Sequence, residues 1–259
     1  MSGVSLALAP GSNPDPEETT RQPPQQTVVG GIMGSLRVIE LQLVAFIMVF
    51  SASGLVPLFD LAFPAFTTIY LLLLSRLAFP NSSTTRHRSE IIFQGNRLFR
   101  AYVILGTTIG LFLPLAYVLG GFARGDEHAV QSATPHLFLL SCQILTENII
   151  SGLSLFSLPV RALVPMLYTV RRIFVVLDWV QDVWLNKTLP VNAEIKDVAW
   201  FWFGRVLAVA NLGYFSINLF GFLIPKFLPR AFDHYLKQRK EMERKMGEED
   251  KQFEDKKSN

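Results

Sequence analysis

The sequence is poor in the residues on which many catalytic and metal-binding sites depend. It has one cysteine, Cys142, which excludes an internal disulfide, and its four histidines show no metal-ligand spacing. It also lacks the G-x-S-x-G, H-E-x-x-H and P-loop motifs of hydrolases, zinc peptidases and nucleotide-binding proteins. We therefore expect no enzymatic activity and no cofactor or metal.

Charged residues are also scarce, at 17% of the chain, whereas soluble domains have about 25%. Half of the residues are hydrophobic, and they are concentrated in blocks of roughly 20, the length that crosses a bilayer as a helix. The net charge of +3 is too small to indicate a nucleic-acid partner. We predict an all-α fold, a multi-pass transmembrane helical bundle with five to six hydrophobic segments and the lipid bilayer as its main partner.

Composition divides the chain into three parts. Residues 1–37 are polar and rich in proline, glycine and glutamine, which predicts a disordered tail. Residues 38–226 form the predicted transmembrane domain. Residues 227–259 carry closely mixed charges and are expected to form a solvated cytosolic helix or tail.

Five segments are expected to cross the membrane. They are Leu41–Leu58, Leu61–Phe79, Ala101–Ala123, His136–Phe156 and Val198–Pro225.

A sixth segment, Leu158–Leu185, is ambiguous because it is apolar but contains the pair Arg171 and Arg172. Each arginine costs about 2.5–3.5 kcal/mol at the centre of a membrane helix. We therefore expect an amphipathic helix in the interface, with Trp179 and Trp184 at headgroup level and both arginines on lipid headgroups. The alternative is a sixth span.

Basic residues predict the orientation. The loop Asn81–Arg100 and the start of the C-terminal tail are both rich in arginine or lysine, which favours the cytosol. We therefore expect an even number of crossings with both termini cytosolic. Lys256 and Lys257 occupy the positions of a dilysine retrieval signal, which predicts the endoplasmic reticulum or another endomembrane.

One predicted span carries an intramembrane polar face centred on Glu147. A carboxylate near mid-bilayer needs a partner, and Arg205 lies at a similar depth in its own span. We predict a Glu147–Arg205 ion pair supported by Gln143, Asn148 and Asn211. This pair either locks two helices together or serves a transport or proton-relay pathway.

A small-xxx-small pattern, Gly106 and Gly110, lies in the third span. Glycines four residues apart let two helix backbones approach closely, so we expect a helix-packing contact there.

Four parts of the sequence carry a family resemblance: Ala52–Gly54, Pro135–Leu140, Arg171–Phe174 through Asp178 and Trp179, and Gly204–Leu212 through Phe220–Phe222. Through them the chain resembles, over roughly Val38–Phe232, a plant-specific family of multi-pass integral membrane proteins of unknown function. It implies a plant source and a membrane location, and no activity.

The leading functional hypothesis is a non-enzymatic endomembrane scaffold or membrane-organising protein that binds other membrane proteins or a second copy of itself. The alternative is a small transporter or channel that uses the polar face at Glu147. A conduit requires a continuous polar path, whereas a closed bundle favours the scaffold.

Overall fold

The computed structural model describes residues 26–79, 97–153, 156–189 and 192–257. The chain divides into two units, residues 1–38 and residues 39–259. The described part of the first unit is the beginning of helix α1, and the second unit is a helical bundle.

The fold is all-α, as predicted. The helices in the described ranges are α1 (Gln26–Ala52), α2 (Leu58–Leu77), α3 (Arg97–Thr107), α4 (Leu113–Arg124), α5 (Glu127–Leu153), α6 (Leu158–Gln181), α7 (Ile195–Ile217) and α8 (Leu228–Lys257). Three π-helical segments make longer rods of them: Thr108–Phe112 joins α3 to α4, Asp182–Asn186 extends α6, and Asn218–Phe227 joins α7 to α8.

Local sequence explains where several helices begin and end. Gly54 and Gly125 have φ of 70° and 67°, a left-handed conformation that suits glycine and turns the chain after α1 and α4. Pro57 precedes α2, and Pro159 lies in the first turn of α6, where its missing N–H is not needed. A reciprocal capping box between Glu194 and Asp197 opens α7.

Helices α5 and α6 form an antiparallel hairpin at the centre of the bundle. The hydroxyls of Thr146 and Tyr168 lie 3.1 Å apart, and nearer the turn Arg161 donates to Ser151 over 3.1 Å. Helix α6 buries ten of its side chains, because α2, α5, α7 and α8 all pack on it.

The α3–α4 rod runs antiparallel to α7. At one end Tyr102 donates to Asn218 over 2.8 Å, and at the other Arg124 pairs with Asp197 at 2.7 Å. Between them the ring of Tyr117 stacks on Trp200, with centroids 5.0 Å apart.

Gly106 and Gly110 lie inside this contact. A Cβ on Gly106 would overlap the hydroxyl of Tyr214, and one on Gly110 would lie 2.9 Å from the ring of Phe215. Both rings belong to α7, so the two glycines make room for aromatic side chains of the facing helix.

The outer surface of the bundle is apolar. Large hydrophobic side chains are exposed on α1, α2, α4 and α7, including Phe66 at 70% and Val206 at 63%. Among the described residues, three helices are long and apolar enough to cross a membrane, namely Leu58–Leu77, Arg100–Arg124 and Ile195–Glu248, and Glu40–Ala52 is a shorter apolar helix. A surface of this kind indicates membrane association.

Two helices, α1 and α5, extend beyond the bounds expected from the sequence. Residues 26–37, expected to be disordered, form the first part of α1. The predicted span His136–Phe156 lies in α5 as far as Leu153; this helix begins at Glu127 and is not one of the described helices long and apolar enough to cross a membrane.

Helix α6 is not the expected interfacial helix. Its residues Tyr168, Arg172 and Trp179 are almost fully buried, so one face of α6 is covered by neighbouring helices. Trp184 alone of the two expected interfacial tryptophans is exposed. Within the bundle both arginines have protein partners, Gln143 for Arg172 and Asp60 for Arg171, which compensate part of the cost of removing them from water.

Candidate functional site

A proline in the α3–α4 rod creates the first element of the site. Pro114 has no N–H, so it cannot donate to the carbonyl four residues earlier, that of Gly110. The rod widens into a π-helical segment at this point, and the Leu113 N–H donates to Thr108. The fully buried His136 of α5 lies 2.9 Å from the Gly110 oxygen through Nε2. Because a carbonyl only accepts, Nε2 carries the proton and His136 supplies the missing donor.

A chain of polar side chains continues from the centre of α6. The guanidinium of Arg172, only 2% exposed, donates to Gln143 Oε1 over 2.5 Å and to Thr169 over 3.4 Å. Gln143 in turn donates through Nε2 to Glu147 Oε1 over 2.7 Å. One amide thus uses both of its ends to join a buried cation to a carboxylate.

The ring of Phe215 separates this chain from His136. The Arg172 guanidinium lies 4.3 Å from the centroid of that ring, and the His136 ring lies 5.3 Å from it. Asn211, one turn earlier on α7, is fully buried and donates to the Leu207 carbonyl over 2.9 Å. Four helical elements therefore meet around one aromatic ring, and the cation is stabilised by its face.

Glu147 lies where the chain reaches a cleft of about 200 Å³ between α5, α6 and the beginning of α8. Ser151 and Arg161 are its other polar residues, and Phe227 and Ala231 close the side toward α8. The polar chain therefore ends at this cleft.

The structure does not bring Glu147 and Arg205 together. The Arg205 guanidinium donates to the carbonyls of Val183 and Trp184, at 3.0 and 3.4 Å, where the π-helical segment after α6 leaves carbonyls without α-helical donors. It also lies 3.9 Å from the Phe201 ring and 4.7 Å from the Trp184 ring. Arg205 thus binds the carbonyls of the segment that follows α6, and the cation linked to Glu147, through Gln143, is Arg172.

Of the other predicted members, Gln143 belongs to the chain and Asn211 lies beside it. Asn148 is half-buried on α5 and takes no part in the hydrogen bonds that join Arg172 to Glu147.

The two arginines expected at lipid headgroups have protein partners instead. Arg172 is inside the bundle, as described above. Arg171 pairs with Asp60 at 2.7 Å and lies 4.5 Å from the Phe59 ring, which fixes α2 to α6. The side chains of Lys256 and Lys257 lie outside the described residues, so the retrieval signal stays a prediction.

A second polar cluster caps the opposite end of the bundle around Asp126. This residue precedes α5 and accepts from the Ala129 N–H over 3.1 Å and from Trp200 Nε1 over 2.8 Å. It also forms an ion pair with Lys187, at the end of the α6 rod. Burial by itself would raise the pKa of the Asp126 carboxyl, but these hydrogen bonds outweigh it and the pKa is lowered.

Three features were missed in the sequence. The signal for His136 was the proline inside a span, since Pro114 leaves a carbonyl that some neighbour must satisfy. The signal for Asp126 was its place after Gly125, typical of a turn followed by a helix cap. For Asp60, which is 2% exposed, the one signal in the sequence was its position as a charged residue in an apolar stretch.

Within the described ranges, no group of three or more histidine, cysteine, aspartate or glutamate side chains is placed to hold a metal ion.

These observations define an all-α protein with a chain of polar side chains inside an otherwise apolar core, and with helices that could span a membrane. The chain belongs to the DUF7733 family, a domain of unknown function whose family model matches residues 34–236. This agrees with the predicted membership of an uncharacterised family. No curated protein and no solved structure matches the chain.

The first prediction concerns the bond between His136 and Gly110. His136→Leu should lower the free energy of unfolding by about 1–3 kcal/mol, because the buried Gly110 carbonyl loses its donor. In a Pro114→Ala background the restored N–H can serve that carbonyl, so the same change should cost at least about 1 kcal/mol less. The measurement is chemical unfolding of the full chain in detergent micelles.

The exposed His128 provides the control for that cycle, since His128→Leu should behave alike in both backgrounds. Equal costs of His136→Leu with and without Pro114 would show that the proline does not create the need for the histidine.

The second prediction concerns pH and Asp126. Its folded-state pKa lies below the unfolded value of about 3.9, so the stabilisation is complete above that pH and is lost as the pH falls through the folded-state pKa. At pH 7, Asp126→Asn should cost about 2 kcal/mol, because Lys187 loses its buried partner. Thermal unfolding from pH 7 to pH 2 should show the two proteins converging below about pH 4. A gap that stays constant over this range would contradict the assignment.

Proposed function

We propose that this protein is a multi-pass endomembrane protein that acts as a non-enzymatic scaffold. The antiparallel registers of α2, α4, α5, α6 and α7 support several crossings, with the helices alternating in direction. The apolar outer surface supports a hydrocarbon environment around them.

The observation that carries the scaffold is the closure of the interior toward the Asp126 cap. Tyr117 stacks between Trp179 and Trp200, with centroids 5.7 and 5.0 Å away, and both Tyr117 and Trp179 are almost fully buried. Buried apolar side chains such as Ala133 and Val176 surround these rings. We call the rings of Tyr117, Trp179 and Trp200 the aromatic layer. The polar chain that runs from Glu147 to Arg172 does not continue through this layer to the Asp126 cap.

The proposed orientation, organelle and source of the protein rest on its sequence and on the family resemblance. Basic residues on the loop at residues 81–100 and after α7 favour cytosolic termini, and Lys256 and Lys257 favour retrieval to the endoplasmic reticulum. The family resemblance favours a plant source.

A small transporter is the second candidate, and the cleft at Glu147 is the observation in its favour. A transporter would open the aromatic layer in part of its cycle, so that the interior becomes accessible from both sides in turn. The two candidates therefore differ in the accessibility of the aromatic layer to water.

Single cysteines test this difference, because Cys142 is the one native cysteine and Cys142→Ala removes it. On that background, Ser151→Cys in the cleft should react with a membrane-impermeant maleimide from one side, and Gln131→Cys at the cap from the other. Ala133→Cys and Val176→Cys, both fully buried, should react from neither. Labelling of these two from the side of Gln131 would contradict closure and favour the transporter.

A scaffold must also hold a partner. Extraction of native membranes in mild detergent should give a discrete complex larger than the monomer on a native gel. A monomer alone, at every detergent concentration that leaves the bundle folded, would count against the scaffold.

A further inference from the structure

Among the described residues, the cleft between α5, α6 and the beginning of α8 presents one acidic side chain, one basic side chain and the hydroxyl of Ser151 on walls that are otherwise apolar. Glu147 and Arg161 carry these charges, and neither forms an ion pair with a protein group within 4 Å in the described part of the chain. Two charges of opposite sign that face one cleft without neutralising each other suit a ligand that carries both signs.

Glu147 and Arg161 both keep hydrogen-bonding capacity that a ligand could use. Glu147 accepts one side-chain hydrogen bond, at Oε1 from Gln143, and a carboxylate has acceptor capacity for several more. Arg161 donates from Nη2 to Ser151, and its guanidinium has further donors. Arg172, the cation nearest to Glu147 along the polar chain, is reached through Gln143 and not directly.

The spacing of the two charges limits the ligand. Ser151, to which Arg161 is bonded, lies one helical turn beyond Glu147, a rise of about 6 Å along α5. A phosphate and a primary ammonium joined by two carbons match a separation of this order. A ligand with only a negative charge would be repelled by Glu147, and a ligand with only a positive charge would be repelled by Arg161.

The size and the walls of the cleft point the same way. Its volume of about 200 Å³ is enough for a small headgroup. The apolar walls, among them Ile150, Leu158 and Phe227, suit the carbon atoms that link or follow the phosphate.

We propose that this cleft binds a phosphoethanolamine group, with its ammonium on Glu147 and its phosphate on Arg161. An ethanolamine ammonium donates hydrogen bonds to the carboxylate, whereas the quaternary ammonium of choline has no N–H to donate. The cleft therefore prefers ethanolamine to choline. The group can come from a membrane phospholipid or from free phosphoethanolamine, and this recognition is separate from the proposed scaffold role.

The test measures binding to the full-length chain in detergent micelles, by calorimetry, with dihexanoyl phospholipids that differ only in headgroup. The ethanolamine lipid should bind at least about tenfold more tightly than the choline or glycerol lipid, as the loss of a charge-assisted hydrogen bond implies. Glu147→Gln and Arg161→Gln should each weaken it by about tenfold or more. Glu241→Gln and Lys226→Gln, matched charge changes at exposed positions outside the cleft, should leave it unchanged.

A second titration with free phosphoethanolamine distinguishes a membrane phospholipid from the free compound as the source of the group. Binding that depends on Glu147 would show that the headgroup alone suffices, and binding of the phospholipid alone would assign the site to membrane lipid. Equal affinity for ethanolamine and choline lipids overturns the proposal. So does a folded Glu147→Gln variant, with helix content and elution volume of the wild type, that binds as the wild type does. Each of these results is independent of whether the chain acts as a scaffold.

Discussion

The burial of the Arg172 guanidinium is the constraint on which the arrangement of the central helices depends. A cation without water is tolerated only when hydrogen bonds and polarisable groups replace its hydration. Gln143 of α5 and Thr169 of its own helix accept from Nη2, and the ring of Phe215 on α7 faces the guanidinium. These contacts replace part of the hydration, while Nε and Nη1 have no hydrogen-bond partner in the described part of the chain. Because the contacting groups come from three helices, the charge fixes the relative positions of α5, α6 and α7 in one place.

The same requirement explains why the buried polar side chains are concentrated in the central helices. Helices α5 and α6 contain most of the interior polar groups, and the more apolar α2, α4 and α7 pack around them. Backbone irregularities are satisfied in the same way. The carbonyl freed by Pro114 is served by His136, and the carbonyls at the end of the α6 rod are served by Arg205. In a hydrocarbon environment each such group would otherwise cost several kcal/mol, of order 1–3 even in a protein interior.

The helix class and the apolar segments could be predicted from the sequence, because hydropathy is a local property. The partners of the charges could not. Glu147 and Arg205 lie at similar depths in their predicted spans, but depth does not specify which face of a helix meets which neighbour. The registers of α5 on α6 and of α6 on α7 placed Arg172 against Gln143 and Arg205 against Trp184. Helix α6 was misjudged for the same reason, since the enclosure of its arginines is a property of the whole bundle.

The central claim is that hydrocarbon contacts the outer surface of the bundle and not its α5–α6 interior. The most direct measurement is labelling of the chain in proteoliposomes with an apolar carbene-generating reagent dissolved in the lipid, followed by mapping of the modified residues. Label is expected on the exposed Phe66, Phe112 and Phe220, and not on the buried Leu137 and Val176. Modification of the buried positions as heavily as the exposed ones, or an absence of label from the exposed phenylalanines, would contradict the claim.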